Sequence, residues 1–381
     1  MNFEIRRDFF LNYLIQIQKI LPQKTFCPIY YSIKLYVEEN FLFLEVSNMN
    51  IAVKIKIEND SLKIKKKGFA IISGKYFIDI IKKIDCPIIN INSIESNFLV
   101  IETLFSKYKL KIIHLDDFPS IDFNLDFQNF YEIEINSFKR LIKETNVTTS
   151  KDKQKNIILT GVNLIYQKPF LLASSTDSFR LSKKKIELNL ESDNFDIILP
   201  NRSLEELTKL LEFEKEKFLR FFINKGRFFV YTSSLIFQTS VLSGNYPQLS
   251  DIKEKEFVYF FKLNKDKLIK IFERVSLFLP KEGSVIDNVV KFKTNINDKK
   301  IEISCDSQEI GTALEKIDIL DFFLPDEIKI VFNIKYLEEI IKIFPAKEIV
   351  FSFKDPNQSF ILNNIDDEKT LFYLILPFLN R

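Results

Sequence analysis

Histidine occurs once in this sequence, at His114, and tryptophan not at all. Acid–base or metal chemistry built on imidazole therefore has almost no material, and the lone histidine reads as a structural residue. The three cysteines, Cys27, Cys86 and Cys305, are odd in number and widely spaced. They fit neither a disulfide framework nor a zinc site, which points to a reducing cytoplasm. Only seven glycines are present, and they form neither a Gly-x4-Gly-Lys-Ser/Thr nor a Gly-x-Gly-x-x-Gly loop, so nothing is built to cradle phosphates. No cofactor is expected. No apolar run is long enough to cross a membrane. The opening Met1-Asn2-Phe3-Glu4-Ile5-Arg6-Arg7 alternates like a strand and lacks the apolar core of a signal peptide. Asp116-Asp117 and Asp366-Asp367 come nearest to a magnesium site of nuclease type, but both pairs sit in polar connecting segments and read as solvated turns.

Charge of one sign is also missing: 55 basic residues face 52 acidic ones, a net of +3. Overall charge therefore does not mark a nucleic-acid binder, and only the distribution of charge can. The abundance of Phe, Ile, Lys and Asn fits an AT-rich genome better than a function.

What the chain does have is repetition. One strand-then-helix pattern occurs six times, in two alternating versions. The first reads Phe3-x-Ile5-x4-Phe10-x3-Leu14, then Tyr131-x-Ile133-x4-Phe138-x3-Ile142, then Phe261-x-Leu263-x4-Leu268-x3-Phe272. The second runs through Ile71-Ile72 with Phe77, Ile198-Leu199 with Leu204, and Val331-Phe332 with Leu337. The recurrence interval is about 130 residues, a third of the chain, so the fold is three copies of one domain with two similar halves each. The expected class is α+β, each half carrying one helix and about four mostly antiparallel strands. Helices are predicted over 8–21, 75–84, 137–146, 202–212, 265–275 and 335–344, with Asp8 as the first N-cap. Domains are expected at 1–122, 128–251 and 254–381, joined by proline-bearing polar linkers near 116–129 and 246–255. The helix windows hold a modest excess of basic residues, and the rest of the chain is slightly acidic.

Four segments resemble one family in order and spacing. They are Ile158-Leu159-Thr160-Gly161-Val162, Ala173-Ser174-Ser175-Thr176-Asp177-Ser178-Phe179-Arg180-Leu181, Ser243-Gly244-Asn245-Tyr246-Pro247 and the closing Tyr373-Leu374-Ile375-Leu376-Pro377. Together with the threefold length they are similar to the bacterial DNA sliding clamp, the β subunit of the replicative DNA polymerase III. The resemblance implies a non-catalytic, head-to-tail homodimeric ring around double-stranded DNA, in the cytoplasm at the nucleoid. It implies tethering of the replicative polymerase subunit and of other clamp-binding-motif proteins, opening by a clamp loader, and no membrane partner. It also implies a peptide groove of Leu159, Thr176, Arg180, Leu181, Pro247, Ile252, Ser359, Leu374, Leu376 and Pro377. The implied DNA-facing residues are Lys24, Lys151, Lys153, Lys155, Arg202 and Lys209. The implied dimer interface sets Tyr108 and Leu110 against Leu277 and Phe278, two adjacent bulky residues that cannot both enter one core from a regular strand. Departures from the family pattern are Ser178, Phe179 and Asp251; the last puts an acid where some members carry an arginine and is expected to disfavour acidic peptides.

Geometry supports a dimer. Helices pack about 8–10 Å apart. Six in a closed circle leave a hole of roughly 9 Å, too small for a duplex roughly 20 Å across; twelve leave roughly 28 Å. A modest basic lining suits an object that slides, because dense phosphate contact would grip. Two other readings stay open on the residues alone: a DNA-processing enzyme, and a structural repeat protein with no DNA role.

Overall fold

A computed structural model describes residues 1–22, 24–94, 97–114, 118–119, 121, 123, 130–152, 156–188, 193–249, 257–280, 288–355, 359–363 and 370–378. Its six helices are α1 (Arg7–Gln18), α2 (Gly74–Lys83), α3 (Ile135–Asn146), α4 (Asn201–Leu210), α5 (Lys265–Val275) and α6 (Ile334–Ile343). Each overlaps a predicted window, and all but α5 begin one or two residues earlier than predicted. Each forms because apolar residues recur at helical spacing and bury one face: Phe10, Leu14 and Ile17 in α1, Leu268, Ile271, Phe272 and Val275 in α5. The predicted cap Asp8 is a correction. It lies inside the first turn, paired with Arg7, and Arg6 precedes the helix without a side-chain cap. Asn264 and Asn333 do cap α5 and α6, accepting from the N–H groups of Lys267 and Lys335.

Every half-repeat has the same order: one strand, a helix, then a three-stranded antiparallel meander. The first repeat gives Asn2–Arg6, α1, Ser32–Val37, Leu42–Ser47 and Ile51–Ile57, then Gly68–Ser73, α2, Ile88–Ile94, Phe98–Glu102 and Lys107–Lys111. The second gives Tyr131–Glu134, α3, Gly161–Gln167, Phe170–Thr176 and Arg180–Glu187, then Phe195–Pro200, α4, Phe218–Asn224, Arg227–Tyr231 and Leu235–Ser240. The third gives Tyr259–Asn264, α5, Val289–Asn295, Lys300–Ser307 and Gly311–Asp318, then Lys329–Asn333, α6, Glu348–Phe353, Phe360–Asn363 and Leu371–Ile375. Two short strands, Lys63–Lys66 and Asp321–Phe323, flank the first strands of the outer repeats.

Compactness divides the chain through the middle repeat, into residues 1–139 with 202–241 and residues 140–201 with 242–381. The cause is strand pairing across repeats. In the first unit an eight-stranded sheet runs from Tyr131–Glu134 to Gly68–Ser73, and Leu235–Ser240 lies antiparallel to Ile51–Ile57 with Leu235 opposite Ile55. In the second a nine-stranded sheet runs from Phe195–Pro200 to Asp321–Phe323, and Arg180–Glu187 lies antiparallel to Leu371–Ile375 with Leu181 opposite Leu374. Each unit also holds a smaller sheet, of five strands ending in Lys107–Lys111 and of four strands ending in Gly311–Asp318. In the first unit α1 packs with α2 and Phe10 meets Phe77 edge-on, and in the second α5 packs with α6 over a core that includes Phe292, Phe332 and Phe351. Among the described residues no helix is long and apolar enough to cross a membrane.

Candidate functional site

The second unit gathers most of the predicted groove. Strand register places Thr176, Leu181, Leu374 and Ile361 in one cross-strand row. Neighbours on a strand alternate faces, so Arg180 and Ile375 belong to the other side. Beyond the strand end the chain stays tied down: the Leu376 N–H donates to the Phe179 carbonyl at 2.9 Å and the Phe378 N–H to the Val331 carbonyl at 2.7 Å. Leu376 is exposed, while Leu159, Ser359, Leu374 and Pro377 are half-buried. Leu159 sits in a single 3-10 turn, where its carbonyl accepts the Ser150 N–H. Pro247 is exposed, next to Tyr246, whose phenol oxygen accepts the Thr176 N–H at 3.0 Å. Burial pushes the Tyr246 phenol far above its ordinary range. Ile252 and Asp251 lie outside the described residues.

The turn Thr176–Arg180 is built by its own side chains. Asp177 Oδ1 accepts the N–H groups of Phe179 and Arg180, both at 3.0 Å, an Asx arrangement. Thr176 Oγ1 donates to the Arg180 carbonyl and accepts the Ser178 N–H. Ser178 is held at φ 78°, in the left-handed region that favours glycine.

Arg180 is buried and committed. Its Nε donates to Asp177 Oδ2 at 3.0 Å, Nη1 to the Tyr336 carbonyl at 3.0 Å and Nη2 to Glu339 Oε2 at 2.6 Å. The guanidinium lies 4.6 Å from the centre of the Tyr336 ring, on which Phe179 also stacks at 6.0 Å. Arg180 thus fastens a strand of the second repeat to α6 of the third. Burial alone would raise the Glu339 carboxyl, but the hydrogen bond from Lys151 and the charge of Arg180 hold it below the usual carboxylate range. The sequence reading missed Tyr336 and Glu339. A buried arginine demands an acid, but nothing in one sequence says which acid of α6 supplies it.

The predicted DNA contacts are divided between the two compact units. Lys24 is exposed in the loop after α1, and Arg202 is exposed on α4. Lys209 pairs with Glu206 at 3.0 Å, and Lys151 pairs with Glu339 at 2.6 Å. Lys153 and Lys155 lie outside the described residues, as do both acidic pairs, Asp116-Asp117 and Asp366-Asp367. With the observed bounds the six helices hold fifteen basic and nine acidic side chains. Lys75, Lys83, Lys139, Lys143, Lys270 and Lys335 make no ion pair among the described residues. Spacing alone would not have found them: Asp79 lies four positions from both Lys75 and Lys83, Asp266 from Lys270 and Glu339 from Lys335, and only Lys139 and Lys143 lack such an acid.

Tyr108 and Leu110 lie on the edge strand Lys107–Lys111. Leu277 and Phe278 lie not on a strand but in the 3-10 turn Ser276–Phe278 that ends α5, with Leu277 exposed and Phe278 resting on the core of the third repeat.

Comparison with known proteins agrees with this architecture. Residues 1–122, 132–248 and 255–378 match the N-terminal, central and C-terminal domain models of the DNA polymerase III beta subunit. The beta sliding clamp of Staphylococcus epidermidis is 29% identical over 382 residues, covering 99% of both chains. The solved beta subunit of Streptococcus pyogenes DNA polymerase is 26% identical with a TM-score of 0.91, and the Bacillus subtilis sliding clamp 25% with 0.90; each covers 100% of both chains. Three matched domains in order, over one continuous alignment, leave one conclusion: the chain belongs to the bacterial β sliding clamp family, the non-catalytic β subunit of DNA polymerase III, and acts as a DNA sliding clamp.

Proposed function

We propose that two copies of this chain join head to tail into a closed ring around duplex DNA. The observation that carries this reading concerns strand edges. In every half-repeat the last strand of the meander is the outer one. Four of the six are paired with each other inside the chain, at the two joins described. Lys107–Lys111 and Gly311–Asp318 are left with a bare outer edge among the described residues. They belong to opposite ends of the chain, so a second copy can satisfy both at once, and a heterologous contact that closes gives a ring. Lysines at 107, 109 and 111 guard one edge against indiscriminate pairing. Tyr108, Leu110, Leu277 and Phe278 contribute the apolar part of the contact. The domains are 1–122, 128–251 and 254–381.

The six unpaired helix lysines, together with Lys24 and Arg202, meet phosphates without base readout, so sequence is not read. The row Thr176–Leu181–Leu374, with Leu159, Leu376, Pro377 and Pro247, takes a Leu or Phe anchor from the replicative polymerase subunit, the clamp loader or other carriers of such a motif. Work takes place in the cytoplasm, on the nucleoid. The test is topological. Protein loaded on nicked circular DNA should co-elute with it in 0.5 M-scale salt (about that concentration, where phosphate contacts are weak) and be lost when the circle is cut once. Equal retention on linear DNA would overturn the ring.

A further inference from the structure

The two joins inside the chain share one backbone register, and we infer that the join between copies repeats it and is filled by the Leu104–Phe105 hairpin tip seated against Leu314 of the second copy; this rests on the ring reading above. The first join carries the hydrogen bond Lys56 N–H to Ser234 carbonyl at 2.8 Å, the second Lys185 N–H to Thr370 carbonyl at 2.7 Å. Five positions back on one strand and five on along the other, Ile51 faces Thr239 and Arg180 faces Ile375. A three-residue sequence marks the donor side each time: Lys56-Ile57-Glu58 and Lys185-Ile186-Glu187. The related run Lys316-Ile317-Asp318 ends the bare strand Gly311–Asp318 in the same way; because Lys-Ile-Asp and Lys-Ile-Glu also stand at 83–85 and 300–302, the hairpin settles the match, Asp318 facing Lys300 at the head of the preceding strand as Glu187 faces Phe170. The acceptor side is marked by the hairpin turn. Thr232 N–H to Leu235 carbonyl and Thr103 N–H to Ser106 carbonyl, both 2.9 Å, make Leu104 and Phe105 the counterparts of Ser233 and Ser234.

Transferring the register sets Lys316 opposite Phe105, Leu314 opposite Lys107, Thr312 opposite Lys109 and Gly311 opposite Leu110. Side chains then decide what the join contains. The first join leaves a cleft of about 730 Å³ whose lining includes Lys54, Lys56, Phe218, Ser233 and Ser234. Their counterparts at the third join are Leu314, Lys316, Ile88, Leu104 and Phe105. Ser233 and Ser234 are thus replaced by a leucine 85% and a phenylalanine 91% exposed, and Lys54 by Leu314, 60% exposed. Bulky apolar residues this bare at the tip of a hairpin await a cover. In the transferred register each covers another, and the space that stays open at the first join is filled at the third.

Sedimentation of the full chain across a dilution series tests this, with Leu104→Ser/Phe105→Ser, Leu314→Ser and the triple variant beside the unaltered protein. Because all three residues are exposed, the variants should keep the parent circular dichroism spectrum. The tip variant should raise the dimer dissociation constant about 30-fold or more, equivalent to about 2 kcal/mol. Leu314→Ser should weaken it too, and the triple variant by less than the product of the two effects, because both remove one contact. An unaltered protein that dimerises while the tip variant dimerises equally well would overturn the inference and leave the ring standing. An unaltered protein that is monomeric throughout would overturn both.

Discussion

The two internal joins have the same backbone and opposite contents. At the first, charges lie in the open: Arg220 pairs with Glu132 at 2.9 Å while half exposed, and Lys54 and Lys56 lie over the Phe43 and Phe41 rings. At the second, Arg180 is sunk among Asp177, Tyr336 and Glu339, and the sheet row beside it is apolar but for Thr176. Register is a property of backbone hydrogen bonds, so three repeats can share it. Binding is a property of side chains, so the proposed peptide groove can occupy one join while its sibling stays an uncommitted surface.

Four changes break or sharpen this contrast. The largest effect should come from Arg180→Met, which leaves Asp177 and Glu339 without their buried cation. About 3 kcal/mol or more of stability should be lost in urea unfolding. Arg220→Met, at the exposed pair of the first join, should cost under about 1 kcal/mol, and comparable losses at both would erase the distinction. Next, Leu376→Ser should weaken a Leu- or Phe-anchored partner peptide about tenfold or more by titration calorimetry. Ser240 is the register counterpart of Leu376 at the first join, and Ser240→Ala should leave that affinity unchanged.

The third change concerns acid. The folded-state carboxyl of Glu339 titrates below its unfolded value. Its contribution is therefore complete above the unfolded value of about 4.3 and fades as pH falls through the folded one. Melting temperature followed downward from pH 6 should drop less steeply in Glu339→Gln than in the parent, and parallel curves would argue against a clasp at the second join. The smallest effect is expected from Ser178→Gly. It relieves a left-handed backbone, which costs a side-chain-bearing residue about 1 kcal/mol, and should raise the urea midpoint slightly without altering peptide affinity.

Much of this was legible beforehand. The helices were fixed by Phe10–Leu14–Ile17 and its counterparts, because a buried stripe at helical spacing has one reading. The groove's apolar members sat on motifs. What stayed hidden is long-range pairing. Glu339 lies far along the chain from Arg180 and nothing local marks it, and Lys151, read as a DNA contact, is drawn to the same acid. The 3-10 turn at Leu277 and Phe278 was missed because two adjacent bulky residues argue against a strand core equally well from a turn. The division of the middle repeat between two compact units follows from sheet pairing, which a repeat pattern does not contain.

The third join can be probed at one pair of positions. With exposed Cys27 changed to serine, Lys109→Cys with Thr312→Cys should oxidise to a disulfide-linked dimer on a non-reducing denaturing gel, because those positions are opposed in both internal registers. Lys109→Cys with Leu314→Cys, two residues out of step, should stay monomeric there. Cross-linking of the second pair in preference to the first, or of neither, would contradict the account.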